Sequence, residues 1–156
     1  MNLQELMNET GTQINEEKVR AYFLGNFTGK KPLNFETTLA EMIGEEDASS
    51  FHTELKRIFD ETRSDYKTQL ASLLPAKDTS KEFLNESLET LDYFLTGFAS
   101  AGAARSPETE EVCEDLETFV LDIEEVLAKD SASTEEMDDL REEILGAWEE
   151  LVSLQS

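Results

Sequence analysis

Apolar residues recur along most of the chain at spacings of three and four, the spacing that places them on one face of an α-helix. Four stretches show this pattern most clearly, and each predicts an amphipathic helix whose apolar side faces a common core. The stripes comprise Phe51, Leu55, Ile58, Phe59, Tyr66, Leu70 and Leu73; Leu84, Leu88, Leu91, Leu95 and Phe98; Val112, Leu116, Phe119, Ile123 and Val126; and Met137, Leu140, Ile144, Trp148, Leu151 and Leu154.

Local signals place the ends of these helices. Leu74-Pro75 ends the first long helix, because the residue before a proline disfavours the helical conformation, and Asp78 or Thr79 can cap the next. Ser106 followed by Pro107 is typical of a helix start. The sequence Ser133-Thr134-Glu135-Glu136 fits a capping box. The glycine-containing run at 100–104 predicts the turn between the second and third long helices.

The N-terminal third is less regular. It predicts short helices at 3–9, 16–26 and 35–44, which we expect to cover one end of a bundle formed by the four long helices. No window alternates apolar and polar residues as a half-buried strand does. We therefore predict a single all-α domain over 1–156, with short helices in about 1–44 and the main bundle in about 45–154.

The composition restricts what such a domain can bind. The 156 residues include 36 Asp or Glu and 13 Lys or Arg, for a formal net charge of −23. This charge argues against nucleic acid or anionic lipid as a direct ligand, because both would be repelled. No run approaches the ~18 apolar residues needed to span a bilayer, and no secretory signal pattern opens the sequence, so a cytoplasmic protein is expected.

Most of the negative charge lies in the second half. Residues 1–78 carry a net charge of −5, whereas residues 79–156 carry −18 and include no Lys or Arg between Ser106 and Ala128. Like charges one helical turn apart repel, and a merely solvated face usually mixes both signs, so these helices form a candidate binding face for a basic protein. The candidate residues are Glu110, Glu111, Glu114, Asp115, Glu117, Asp122, Glu125, Glu135, Asp138, Asp139, Glu142 and Glu143.

The sequence offers little for catalysis. His52 is the single histidine, so neither paired ExxH motifs nor HExxH can be built, and Cys113 is the single cysteine. Carboxylates beside Cys113 disfavour its thiolate, and the glycines at 25 and 29 do not form a phosphate-binding loop. We expect His52 on a helix surface or interface, and we predict no catalytic residue, cofactor or metal site.

A family resemblance adds to this interpretation. The order of Tyr22-Phe23-Leu24-Gly25 to Thr28-Gly29, Phe51 to Leu55, Leu73-Leu74-Pro75, Tyr93 to Phe98 and the closing Glu142-Glu143-Ile144 helix resembles the YgfB-like (YecA-type) bacterial family over roughly 15–152. The resemblance implies an all-α domain that works by protein contact and can form a homodimer. It implies no catalytic residue.

The sequence thus predicts a non-enzymatic interaction or regulatory protein that binds a basic protein through its acidic C-terminal helices. Solubility alone also explains an acidic surface, and that alternative stays open. A second alternative is an inhibitor of a basic protein, either a DNA mimic or an immunity-type protein. A third is an enzyme with a metal held by buried carboxylates such as Glu89 or Glu124.

Overall fold

The structure is a computed structural model that describes residues 16–29, 45–102, 106–129 and 131–155, with the side chains of the second range from residue 52. These residues form six α-helices and no strand, which confirms the all-α prediction. The short helices predicted at 3–9 and 35–44 lie outside the described residues. The helices are α1 (Glu16–Thr28), α2 (Glu45–Ser64), α3 (Tyr66–Ala71), α4 (Ser80–Ser100), α5 (Pro107–Ala128) and α6 (Thr134–Leu154).

The closest helix pair is α1 against α4, and glycines make this approach possible. A Cβ atom placed on Gly25 would lie 1.8 Å from the carbonyl oxygen of Phe94, and one on Gly97 would lie 2.0 Å from that of Tyr22. Each glycine therefore touches the main chain of the opposite helix, where any side chain would overlap it. The hydroxyls of Tyr22 and Ser100 hydrogen-bond across the same crossing at 2.9 Å.

We expected the short helices to cover one end of the bundle. Helix α1 instead occupies the interior of the fold. It packs against α4 on one side and α2 on another, and every residue from Ala21 to its end is buried. The sequence explains this burial, because the consecutive residues Ala21 to Leu24 place apolar side chains on every side of the helix, and each side then needs a packing partner. Its buried polar side chains have hydrogen-bond partners: Asn26 donates to the Gly97 carbonyl of α4 at 3.4 Å, and Thr28 donates to the Leu24 carbonyl one turn earlier at 2.8 Å.

The first long apolar stripe divides between two helices, where one was expected before Pro75. Helix α2 ends at Ser64, and α3 follows after Asp65, which is not helical. Helix α3 stops at Ala71, and the carbonyl of Leu70 near its end accepts a 2.8 Å hydrogen bond from the indole of Trp148 in α6. The tertiary contact thus adds a second donor to a carbonyl at the helix end that also accepts a 3.3 Å hydrogen bond from the Leu73 amide.

The last three helices begin at the N-cap residues that the sequence predicted. The side chains of Thr79, Ser106 and Ser133 accept hydrogen bonds from backbone amides three residues later, at 3.0–3.2 Å. Gly102, at φ +87°, forms the turn predicted after α4. Helices α4, α5 and α6 then pack together around a core that includes Phe83, Phe94, Leu116, Ile123, Ile144 and Trp148.

Candidate functional site

Helices α5 and α6 pack side by side and enclose a shallow groove of about 290 Å³ along their exposed side. Their chain directions oppose each other: Gln155 at the end of α6 donates to the hydroxyl of Thr109 at the start of α5, at 3.3 Å. The acidic residues late in α5 therefore lie opposite those early in α6. The groove is lined by Asp122, Glu125, Val126, Lys129, Glu136, Asp139, Leu140 and Glu143.

Five of the eight groove residues are carboxylates, and Lys129 is the one base among them. The ammonium group of Lys129 lies 3.6 Å from the carboxylates of both Glu125 and Glu136, so it connects the two rims at one end of the groove. The remaining acids, Asp122, Asp139 and Glu143, form no ion pair with a base of the described residues.

The single base of α6 points into the protein and does not relieve the acidic surface. Arg141 donates a 2.8 Å hydrogen bond to the carbonyl of Lys77, and its guanidinium lies 5.0 Å from the ring centroid of Phe83. This contact anchors α6 to the segment before α4. Nine Asp or Glu residues in α5 and eight in α6 consequently face solvent with almost no neighbouring cation.

The structure divides the predicted acidic face into separate groups. Asp122, Glu125, Asp139 and Glu143 meet in the groove, together with Glu136, which the predicted set omitted. Its spacing of three and seven residues from Asp139 and Glu143 was the signal that could have included it. The predicted residues that do not line the groove are exposed: Glu110, Glu111, Glu114, Asp115, Glu117, Glu135, Asp138 and Glu142.

Asp138 also has a structural contact. Its carboxylate accepts a hydrogen bond from the hydroxyl of Ser80, the first residue of α4. Because this bond joins α6 to the start of α4, Asp138 contributes to the packing of the bundle as well as to the acidic surface.

Cys113 is buried in α5. Burial, together with the charges of Glu110 and Glu117, raises the pKa of its thiol to about 12. The sulfur is therefore protonated at neutral pH, as the sequence predicted, and is a poor nucleophile.

The residues considered for catalysis or metal binding do not converge. His52 lies exposed on α2, in agreement with its expected surface position. Glu89 and Glu124 were considered as buried carboxylates, but both are exposed, which corrects that expectation. Within the described ranges no three His, Cys, Asp or Glu side chains are grouped to hold a metal ion, and no helix there is long and apolar enough to cross a membrane.

Comparisons with protein-family models, with curated proteins and with solved structures find no match for this chain. The resemblance to the YgfB-like family therefore stays a prediction from the sequence.

Proposed function

We propose that this protein is a non-enzymatic interaction or regulatory protein of the bacterial cytoplasm that binds a basic protein partner through α5 and α6. The observation that carries the proposal is the groove between these helices, where five carboxylates face a single lysine. The YgfB-like resemblance agrees with a role in protein contact.

The physical basis is electrostatic complementarity. Carboxylates on adjacent helices repel one another, so cationic side chains of a partner that enter the groove would replace repulsion by attraction. The unpaired acids Asp122, Asp139 and Glu143 are the expected contacts, and Val126 and Leu140 supply an apolar floor. The field of the two helices would also accelerate the encounter at low salt.

The test is capture of partners by the tagged protein from a bacterial lysate at low salt and at ~0.5 M salt, where screening shortens the range of the interaction to a few ångströms. The groove variant is Asp122→Asn, Glu125→Gln, Asp139→Asn and Glu143→Gln in combination. The control carries the same change of charge at exposed acids outside α5 and α6: Asp65→Asn, Asp78→Asn, Glu82→Gln and Asp92→Asn.

A basic protein captured at low salt, released at high salt, lost by the groove variant and kept by the control supports the proposal. If the groove variant and the control lost the captured protein equally, binding would depend on net charge alone. Recovery of salt-insensitive partners only would contradict it.

The pairing of α5 with α6 also supports the inhibitor alternative. Their 17 acids extend over about 27 Å of helix at 1.5 Å per residue, or roughly one charge per 1.6 Å. Duplex DNA carries about one charge per 1.7 Å, although here the charges face several directions. A DNA mimic would compete with duplex DNA for the captured protein, whereas an adaptor would bind without displacing DNA.

The charge distribution limits which surface could form the homodimer that the resemblance implies. Two copies that met through α5 and α6 would bring like charges together, so a dimer would form through another surface. Light scattering after size-exclusion chromatography measures the oligomeric state, and the groove variant should leave it unchanged.

A further inference from the structure

A second cavity, of about 640 Å³, lies between α1, the segment that links α3 to α4, and the middle of α4. Its size is within the range of pockets that hold small organic ligands. Its walls combine charged side chains from the two helices with the partly buried segment Leu73-Leu74-Pro75.

Three bases line this cavity in a chain that has 13 altogether. Lys18 is 3.2 Å from Glu89, and Lys77 is 3.0 Å from Glu86. In each pair the base is the more covered partner: the Lys18 side chain is 22% exposed against 64% for Glu89, and Lys77 is 35% exposed against 52% for Glu86. In each pair the carboxylate is thus more open to solvent than its base, and Glu17, the third acid of the lining, is also exposed.

The third base, Arg20, has a hydrogen-bond donor that nothing in the described part of the chain accepts. Its terminal Nη2 donates to Glu16 at 3.0 Å, one turn earlier in α1. Its Nε is fully covered, yet it has no acceptor among the described residues. A buried donor without an acceptor is costly, and an oxyanion is the acceptor that suits a guanidinium best.

From this arrangement we propose that the cavity is a binding site for a small organic oxyanion, a carboxylate or a phosphate ester, recognised by Arg20 with help from Lys18 and Lys77. The Arg20 side chain, which is 26% exposed, turns toward the cavity so that its covered Nε meets the anionic group, and the two lysines exchange their exposed carboxylate partners for the ligand. The less polar part of the ligand rests on Leu73 and Leu74. This site is separate from the α5–α6 groove, so either proposal can fail without the other.

The experiment is calorimetric titration of the full chain with succinate and, separately, with glycerol 3-phosphate, which distinguishes the two oxyanion classes. Salt is held at ~0.15 M, where the Debye length of about 8 Å limits repulsion from the distant acidic helices. The test variant is Arg20→Gln. The control is Arg63→Gln, which removes an exposed arginine in the last turn of α2 that lies outside the cavity.

We expect at least one probe to bind, with affinity reduced about tenfold or more by Arg20→Gln and unchanged by Arg63→Gln. Lys77→Gln should reduce affinity about threefold, and it serves as the test if Arg20→Gln does not fold. Failure of both probes to bind the parent protein would overturn the proposal. So would binding that Arg20→Gln leaves intact, or that Arg63→Gln weakens equally.

Discussion

Trp148 in α6 donates its indole N–H to the backbone carbonyl of Leu70 in α3 at 2.8 Å, across 78 residues of sequence. Both groups are buried, and the indole ring also packs edge-on against Phe94 with centroids 5.0 Å apart. One side chain therefore fixes the end of α3 and fills the core between α4 and α6.

Trp148→Phe should destabilise the fold by about 1–3 kcal/mol, because it removes the indole donor of the Leu70 carbonyl and leaves a gap in the core where the larger indole was. The Leu70 carbonyl then keeps only the 3.3 Å hydrogen bond from the Leu73 amide. Urea unfolding followed by circular dichroism measures the change, and a variant as stable as the parent would show that the bond contributes nothing.

The glycines of the α1–α4 crossing give the largest expected effect. Gly25→Ala and Gly97→Ala each place a methyl group about 2 Å from a backbone carbonyl oxygen, so we expect a loss of several kcal/mol or failure to fold. Gly146→Ala is the matched control, since its added methyl meets nothing within 4 Å. That change should stabilise α6 by about 0.5–1 kcal/mol. Thermal unfolding of the three variants in parallel provides the comparison, and tolerance of alanine at both crossing positions would contradict the helix contact.

The hydroxyl of Ser87 in α4 is buried with no partner among the described residues. Ser87→Ala removes an unsatisfied polar atom and introduces a better helix former, so it should be neutral or stabilising by up to about 1 kcal/mol. A clear destabilisation in chemical unfolding would instead indicate that the hydroxyl has an acceptor.

Repulsion across the acidic groove should be measurable in stability. Asp139 and Glu143 lie one turn apart, and neither is paired with a base in the groove. The double change Asp139→Asn and Glu143→Gln should raise stability by about 0.2–0.5 kcal/mol at low salt. The gain should vanish near 1 M salt, where the Debye length is about 3 Å. Asp60→Asn is the control, because it removes an ion pair with Lys56 at 3.2 Å and should not stabilise.

Cys113 should make stability fall in alkaline solution. Its thiol pKa is raised by burial from 9.0 to about 12 in the folded protein, so the unfolded chain loses this proton first as pH rises. The stability it contributes is complete below pH 9 and declines between pH 9 and about 12. Unfolding of the parent and of Cys113→Ala across this range measures the difference, and parallel pH profiles would contradict the raised pKa.

The sequence predicted the last three helices closely because their signals are local. Apolar spacing fixed which face of each is buried, and Ser106 with Pro107 and Ser133 located two starts through single backbone hydrogen bonds. The exposure of most candidate acids was predictable for the same reason, because the helical period places them away from the apolar face.

Tertiary relationships were not predictable in this way. Gly25 lies within the helix predicted at 16–26, and only the approach of α4 shows that it is a contact surface. The groove depends on the relative position of α5 and α6 along their axes. The Thr109–Gln155 contact shows this position, whereas the spacing of apolar residues in the sequence does not. The charged cavity likewise depends on residues from three separate segments.

The burial of α1 within the fold has a consequence for the protein during its synthesis. Its principal partner, α4, follows about 70 residues later, as the Asn26–Gly97 hydrogen bond shows. At translation rates of 5–20 residues per second, roughly 4–14 s separate the emergence of the two segments from the ribosome. Throughout that interval α1 lacks the helix against which its glycine-lined face packs, and only α2 is available to cover part of its apolar surface. The acidic helices α5 and α6 follow α4 in the chain, so most of the net negative charge is added after this helix pair has been synthesised.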